Sequence, residues 1–559
     1  MSPLRVLAGA AAWAGLLAGC FPPGEGLEPP LEELYFPVGL AKSPEATRLY
    51  VANSNFDLQY NGGAVQVYDL ERLRQVTPRG CSQDADCASG ERCDLEPTSA
   101  NDSYPSRWCV SDSGQYAGRP CGPLGERDAA DRTMEPGRCS YVEPDDPQDG
   151  GRSLIVDTVG IGAFATDVIY RSRPPAADGT VRPGGRLFIP VRGDATLHYI
   201  DVDDDSKEER TEAELDCGQD RNDGDCDDRH RVGDDPDEEN IRGLRLLPEP
   251  FAIDATADGE AVVVTHQTDG AASLFVNDWD AGFDAPPRLE YVQTGMPTRA
   301  IGIAALPVPA SITEGGGNYF PGFLLTFRAS PEIRLLRYIA DASTSEPSNP
   351  PRPYLYHDQT VNVGANAIGF DARGLAIDDS ERRQCQIGCP PEPGDPRQQC
   401  LTACRDVLLR VFAANRNPSS VLIGETRSAT DERPRFSDSI PLPYGPSRVV
   451  VGDIITESGE PATRVFVLCF DAAMVGIYDP ATRRVEQWAH TGRGPHALVI
   501  DTDPTAELGA SARRGYGLGY VGHFTDSYIG VMDLDRRNPN TYGEIILTVG
   551  APTPPRASK

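Results

Sequence analysis

Short apolar runs alternate with turns rich in Gly, Pro and Asp along nearly the whole chain. Runs of strand length bounded by such residues read as β-strands rather than helices. The clearest set is Arg48-Leu49-Tyr50-Val51-Ala52-Asn53 followed by Ala64-Val65-Gln66-Val67-Tyr68-Asp69-Leu70, with Val38-Gly39-Leu40-Ala41 before it. One order recurs six more times: a Gly or Pro turn, two apolar strands, a polar tight turn, and a third strand ending near Asp. Its second and third strands are expected at 186–191 and 197–202, 261–265 and 273–276, 323–327 and 333–338, 407–413 and 420–423, 464–469 and 474–479, and 519–522 and 528–534. Candidate fourth strands lie at 153–159, 242–247, 288–294, 355–363, 436–442, 485–491 and 543–549.

Four short strands per unit, seven units long, predict an all-β chain folded as a seven-bladed β-propeller over residues 36–550. Closing the ring hides sheet edges that would otherwise invite aggregation. An open stack of the same units is the alternative, and the two differ in whether Gly550 returns to the point where Gly39 begins the first blade. Each blade draws its strands from consecutive sequence, so blades 1 and 7 are expected to hold by face packing, unless Leu34 to Phe36 adds a strand. The first unit, with Ser43-Pro44 ahead of Tyr50-Val51-Ala52-Asn53 and a strand ending at Asp69, resembles the YVTN family of β-propeller repeats. Some seven-bladed relatives of that repeat are lactonases or carry redox cofactor subunits. The resemblance therefore implies, as an alternative to a binding role, a lactonase-like hydrolase or an oxidoreductase with its site at the central channel.

The chain opens with Arg5 and an apolar run ending at Leu17-Ala18-Gly19-Cys20, short for a spanning helix and laid out as a secretory signal. These last four residues resemble the lipobox of bacterial lipoproteins. That resemblance implies removal of residues 1–19, lipidation of Cys20, a tether over 20–35, and a membrane partner reached through the anchor. Phe21 is not the Asp that marks inner-membrane retention in enteric bacteria, so the expected location is the cell envelope, with the outer membrane favoured. Residues 551–559 form a C-terminal tail.

Composition adds three insertions and removes one class of partner. Net charge is −32, which repels nucleic acid. Nineteen acidic and five basic residues between Asp201 and Glu239 place much of that charge in one insertion, 204–241, in blade 2. A second insertion, 78–150 in blade 1, carries Cys81, Cys87, Cys93, Cys109, Cys121 and Cys139, and a third, 379–406 in blade 5, carries Cys385, Cys389, Cys400 and Cys404. With Cys217 and Cys226 these are even clusters inside separate segments, as expected of local disulfides in an exported protein, with the connectivity open. The blade 5 spacing suits two disulfides across a short helical hairpin better than a zinc site. The cluster of 78–150 is expected to be self-contained, and the propeller to survive its deletion. Cys469, in an apolar strand, reads as a buried free thiol.

Propeller ligands meet the channel mouth at the starts of the innermost strands. Asp167, Phe251, Arg299, Asn366, Arg448 and His496 are placed there, and of these Arg299, Asn366, Arg448, His496 and Asp167 are the ligand-binding candidates. Two Arg and a His facing one mouth suit an anionic ligand, such as a group on an envelope protein or glycan. His266 and His523 occupy equivalent positions in blades 3 and 7, too far apart around a ring to share a metal, and read as hairpin residues. Asp220, Asn222, Asp223, Asp225 and Asp227 around Gly224 resemble the Asp-rich repeats of thrombospondin type 3 modules, which implies calcium as a cofactor. No Glu closes the loop at EF-hand distance, and a solvated acidic loop stapled by Cys217 and Cys226 is the competing reading. No nucleophile elbow, phosphate loop or dinucleotide fingerprint is present in the sequence.

Overall fold

Seven sheets radiate from a central axis in the computed structural model, which describes residues 27–96, 106–128, 136–145, 153–176, 179–202, 215–218, 224–234, 243–281, 285–328, 330–340, 352–363, 371–507 and 514–552. Blade 1 is built from Pro37–Lys42, Arg48–Asn53, Gly63–Asp69 and Ile155–Ile161, in that order from the axis outward. Blades 3 to 7 repeat the same antiparallel order from consecutive sequence, beginning at Pro250, Ala300, Ala372, Pro446 and Pro495. The expected strands fall within a few residues of the observed ones, with one correction. Residues 243–247 form no strand; the outer edge of blade 2 is filled by Leu215–Asp216 and Arg231–Val232, both paired with Thr196–Val202. The acidic insertion therefore supplies the edge of its own blade.

Blades hold one another by apolar faces. One core cluster lies at each interface, such as Leu274, Phe323 and Leu336 between blades 3 and 4, and Phe412, Val465 and Tyr478 between blades 5 and 6. Burial of this kind, at about 25 cal/mol per Å² of apolar surface, is what a radial stack of sheets has in place of a single core. Near the axis the innermost strands touch backbone to backbone. A Cβ on Gly302 would lie 1.8 Å from the carbonyl oxygen of Arg373, and one on Gly374 would lie 2.8 Å from the Cα of Arg448, so glycine at these positions lets the ring close to a narrow channel.

The ends meet. The first strand packs against Pro495–Glu507, and the amide of Phe36 donates to Ser527 Oγ at 3.1 Å in blade 7. Leu34 to Phe36 adds no strand. An added contact comes from the Cys-rich insertion, whose Val142 pairs in parallel with Val549. Arg138 N donates to Ile546 O at 3.1 Å, Val142 N to Thr548 O at 2.9 Å, and Gly550 N to Val142 O at 2.8 Å. Trp108, Val110, Leu124 and Val142 join Leu518, Val531, Leu547 and Val549 in one core cluster.

The other insertions also reach back to the preceding blade. The amide of Cys226 donates to Gly160 O at 3.0 Å on blade 1, and the helix Asp395–Cys404 of blade 5 meets the blade 4 helix Ala310–Gly315 through Gln398 Nε2 donating to Ser311 O at 2.7 Å. All six disulfides are local, as expected: Cys81–Cys93, Cys87–Cys109, Cys121–Cys139, Cys217–Cys226, Cys385–Cys404 and Cys389–Cys400. The blade 5 pair does bridge a helical hairpin, between Ser380–Ile387 and Asp395–Cys404.

Candidate functional site

Six of the seven innermost strands carry a register shift close to their first residue, at Pro37/Gly39, Pro250/Ile253, Ala300/Gly302, Ala372/Leu375, Pro446/Arg448 and Pro495/Ala497. A bulge takes a residue out of the ladder and re-aims its side chain. Around the axis such bulges take Phe251, Arg373 and His496 out of the ladder, and these residues, with Arg448 next to the blade 6 bulge and Thr166 and Asp167 of blade 2, line a channel cavity of about 170 Å³.

Asp167, Phe251, Arg448 and His496 are thus gathered as expected, and Arg373 joins them unforeseen. Arg299 sits exposed on the rim outside that lining. Asn366 lies outside the described residues, as do Cys20, Asp220, Asn222 and Asp223. Arg373 was findable: it occupies the bulge of Ala372-Arg373-Gly374, the register of His496 in Pro495-His496-Ala497, whereas Asn366 precedes that strand by several residues.

Arg448 spans the channel from blade 6 to pair with Asp167 of blade 2, which is 8% exposed. Burial holds the Asp167 carboxyl above the usual range, and Arg448 opposes that shift. His496 Nδ1 lies 3.0 Å from the carbonyl oxygen of Val38. A carbonyl accepts only, so this nitrogen carries the proton and the lone pair sits on Nε2. Burial, reinforced by Arg448 and Arg373, pushes the ring down to about 4, and it is uncharged at neutral pH.

Further cations surround the mouth. Arg373 holds Asp371 through two hydrogen bonds of 2.6 and 2.9 Å, Arg328 approaches the same carboxylate at 3.3 Å, and Arg416 pairs with Asp471. Arg299 makes no ion pair among the described residues. Burial lowers Arg328 and Arg416, and in both the nearby Arg373 adds to the effect. Of these groups Arg373 and Arg448 line the cavity itself, two guanidiniums against one carboxylate, Asp167. Another side of the mouth is aromatic: Phe36, Phe56, Phe470 and Phe524 pack on one another and on His496 in tilted and edge-to-face pairs, and Phe56 is 47% exposed.

The remaining candidates have structural partners. His266 is buried between Pro248 O at 3.1 Å and Ser273 Oγ at 2.8 Å, and His523 stacks on Tyr528 with ring centroids 4.1 Å apart. Of the calcium candidates, Asp225 backs onto blade 1 at Gly160, while Asp227 caps the short helix Asp228–His230 and binds His230 Nδ1 at 2.6 Å and Arg229 at 3.1 Å. Those donors already occupy the Asp227 carboxylate that a metal would need. Cys469 is buried, and burial pushes its thiol up to about 12, which makes it inert.

No protein-family model matches the sequence, and no curated protein resembles it closely enough to register. Among solved structures, a putative 6-phosphogluconolactonase of Bacteroides uniformis aligns at 11% identity and TM-score 0.41, over 82% of this chain and 86% of that one. A periplasmic gluconolactonase of Pseudomonas aeruginosa aligns at 14% identity and TM-score 0.30, over 73% and 85%. A functionally unknown protein of Desulfotomaculum acetoxidans aligns at 13% and 0.39, over 71% and 89%. At such identities a likeness speaks to fold alone, and a shared propeller does not transfer an activity. The chain is a seven-bladed β-propeller with disulfide-bonded insertions.

Proposed function

We propose that this chain is a lipid-anchored binding module of a bacterial cell envelope, and that it holds an anionic group of a glycan or protein ligand at its channel mouth. The observation that carries the reading is the excess of guanidiniums around a small cavity, in a protein whose net charge of −32 would otherwise repel anions. Its volume of about 170 Å³ suits a carboxylate or phosphate rather than a whole substrate, since small-molecule pockets run to roughly 300–1,000 Å³. The aromatic side of the mouth offers the flat apolar surface against which the rest of such a ligand packs. Titration with glucuronate and with inorganic phosphate is the direct test. Saturable binding that weakens with salt and is reduced about tenfold in Arg373→Gln supports the reading; no binding of either anion refutes it.

The anchor is tested separately. Cys20→Ser is expected to leave uncleaved precursor or to release protein from the membrane fraction, and mature variant that stays with lipid after a salt wash would refute it.

One observation favours a second reading at the same place, a hydrolase. An uncharged imidazole with its Nε2 lone pair beside Arg448 has the composition of a general base next to an oxyanion partner. Turnover of an aldonolactone that His496→Gln abolishes would establish it.

A further inference from the structure

On the face opposite the channel mouth, the edges of blades 2, 3 and 4 enclose a cavity of about 660 Å³, within the range of small-molecule sites. Trp279 and Tyr338, 7% and 4% exposed, form part of its wall. Each spends its polar atom on that wall: Trp279 Nε1 donates to Asp258 O at 2.8 Å, and the Tyr338 hydroxyl to Glu260 at 2.6 Å.

The charges lining it do not balance. Arg182 is paired with Asp280 at 2.6 Å and Arg288 with Glu290 at 3.3 Å. Asp258, Glu260 and Asp278 remain, and among the described residues they accept only from neutral donors: Thr256 Oγ1 at 2.5 Å and the amide of Glu260 at 3.1 Å on Asp258, the Tyr338 hydroxyl on Glu260, and the amide of Asp280 at 3.1 Å on Asp278. Burial raises the Glu260 carboxyl, and Asp258 and Asp278 push it the same way. Glu260, half-buried, and the exposed Asp258 and Asp278 thus line one cavity without a cation partner among the described residues.

A second, independent feature is Asn277, which is 1% exposed and also lines the cavity. Its Oδ1 accepts from Arg186 Nη1 at 2.6 Å, which fixes which way the amide points. Its Nδ2 has no acceptor among the described residues. A buried amide N–H left without a partner is costly, and a ligand oxygen would recover that cost. A bare metal ion would not, since a metal takes acceptors and offers none.

We propose that this cavity is a second ligand site, separate from the channel mouth, which takes an organic ammonium whose short chain also carries an oxygen acceptor. The carboxylates hold the ammonium, Trp279 and Tyr338 line its alkyl chain, and Asn277 donates to the oxygen. A lysine residue of a partner protein, whose main-chain carbonyl supplies the oxygen, and a free amino alcohol share this chemistry.

The test titrates the full chain, by calorimetry and Trp fluorescence, with Nα-acetyl-lysinamide, the uncharged analogue Nα-acetyl-norleucinamide that lacks its ammonium, ethanolamine and Ca²⁺. Binding of the lysinamide or of ethanolamine is expected, with the tighter of the two naming the source. The norleucinamide is expected to bind at least about tenfold more weakly than the lysinamide. Glu260→Gln, which keeps an acceptor for Tyr338, is expected to weaken ammonium binding by about tenfold with unchanged melting temperature, and Arg373→Gln at the channel mouth to leave it unaltered. Equal binding of lysinamide and norleucinamide, binding of Ca²⁺ alone, or no binding of either amine overturns the proposal.

Discussion

Val142, in the Cys-rich insertion of blade 1, pairs in parallel with Val549, in the outermost strand of blade 7. The insertion therefore straps the first blade to the last, across the one interface where the chain's two ends meet. Cys121–Cys139 ties the strap to the rest of the insertion, and Arg138 stacks over Trp108 at 4.7 Å while pairing with buried Glu96.

Deletion of residues 78–150 is consequently expected to destabilise the propeller, although the disulfides of that segment are self-contained. Val142→Asp, which buries a carboxylate against the blade 7 edge, should lower stability by about 3 kcal/mol. Denaturant midpoints measure the loss, and amide exchange should localise it to Ile545–Val549 and the first blade. A deletion variant as stable as the full chain would show that face packing alone closes the ring.

Most blades were legible because a strand buried on both faces is a short apolar run between turn residues, as in Arg48–Asn53, and seven such sets in series have few architectures available. Three features were not. Leu215, fully buried at the edge of blade 2, stands nearly alone in an acidic stretch whose composition reads as solvated loop. Arg373 reaches the channel through a bulge, and a bulge breaks the alternation by which facing residues are counted. The strap pairs residues some four hundred positions apart through a few main-chain bonds, and main-chain pairing leaves no side-chain pattern to read. Cysteine counting located the disulfide clusters without deciding partners, because connectivity depends on which Cβ atoms the fold brings together.

Arg186 is 1% exposed and its guanidinium is fully engaged: Asp201 at 2.7 and 3.0 Å, Asn277 at 2.6 Å, and the face of Tyr199 at 4.4 Å. Removing one partner leaves the other charge buried and uncompensated. Arg186→Ala is expected to cost about 3–5 kcal/mol by urea unfolding, and the double variant Arg186→Leu with Asp201→Leu distinctly less. Equal losses in the two would mean that packing, rather than the stranded Asp201 carboxylate, carries the effect.

Asp167 competes with any anion for Arg448. Asp167→Asn keeps the shape of the pair and releases the guanidinium, so phosphate or glucuronate should bind several-fold tighter, by up to about 1.4 kcal/mol. Because burial raises the Asp167 carboxyl, acidification should begin to produce the same gain at a higher pH than for an ordinary aspartate. Unchanged or weaker anion binding in the variant would show that the pair itself organises the mouth.

Buried histidines set the response of stability to pH. Burial pushes His523 down to about 3 and His496 to about 4, from an ordinary value near 6.5, and lowers His266 as well. The unfolded chain therefore binds protons that the native one refuses as pH falls from about 6.5, and stability should drop through that window by up to about 2–3 kcal/mol for each of His523 and His496 by pH 4.5, with His266 acting in the same direction. Asp533, raised to about 6 by burial and by Asp535, acts in the opposite sense: it takes up a proton in the native state first, and returns up to about 2 kcal/mol as pH falls from 6 toward 4.5. His523 and His496 together outweigh Asp533, so among these groups the net expectation is loss. His523→Asn places at this position the residue found in the same register at Asn53 and Asn415, and should remove one histidine's share of the drop between pH 7 and 4.5 in urea midpoints. An identical drop in variant and parent would mean that His523 is protonated in the folded protein after all.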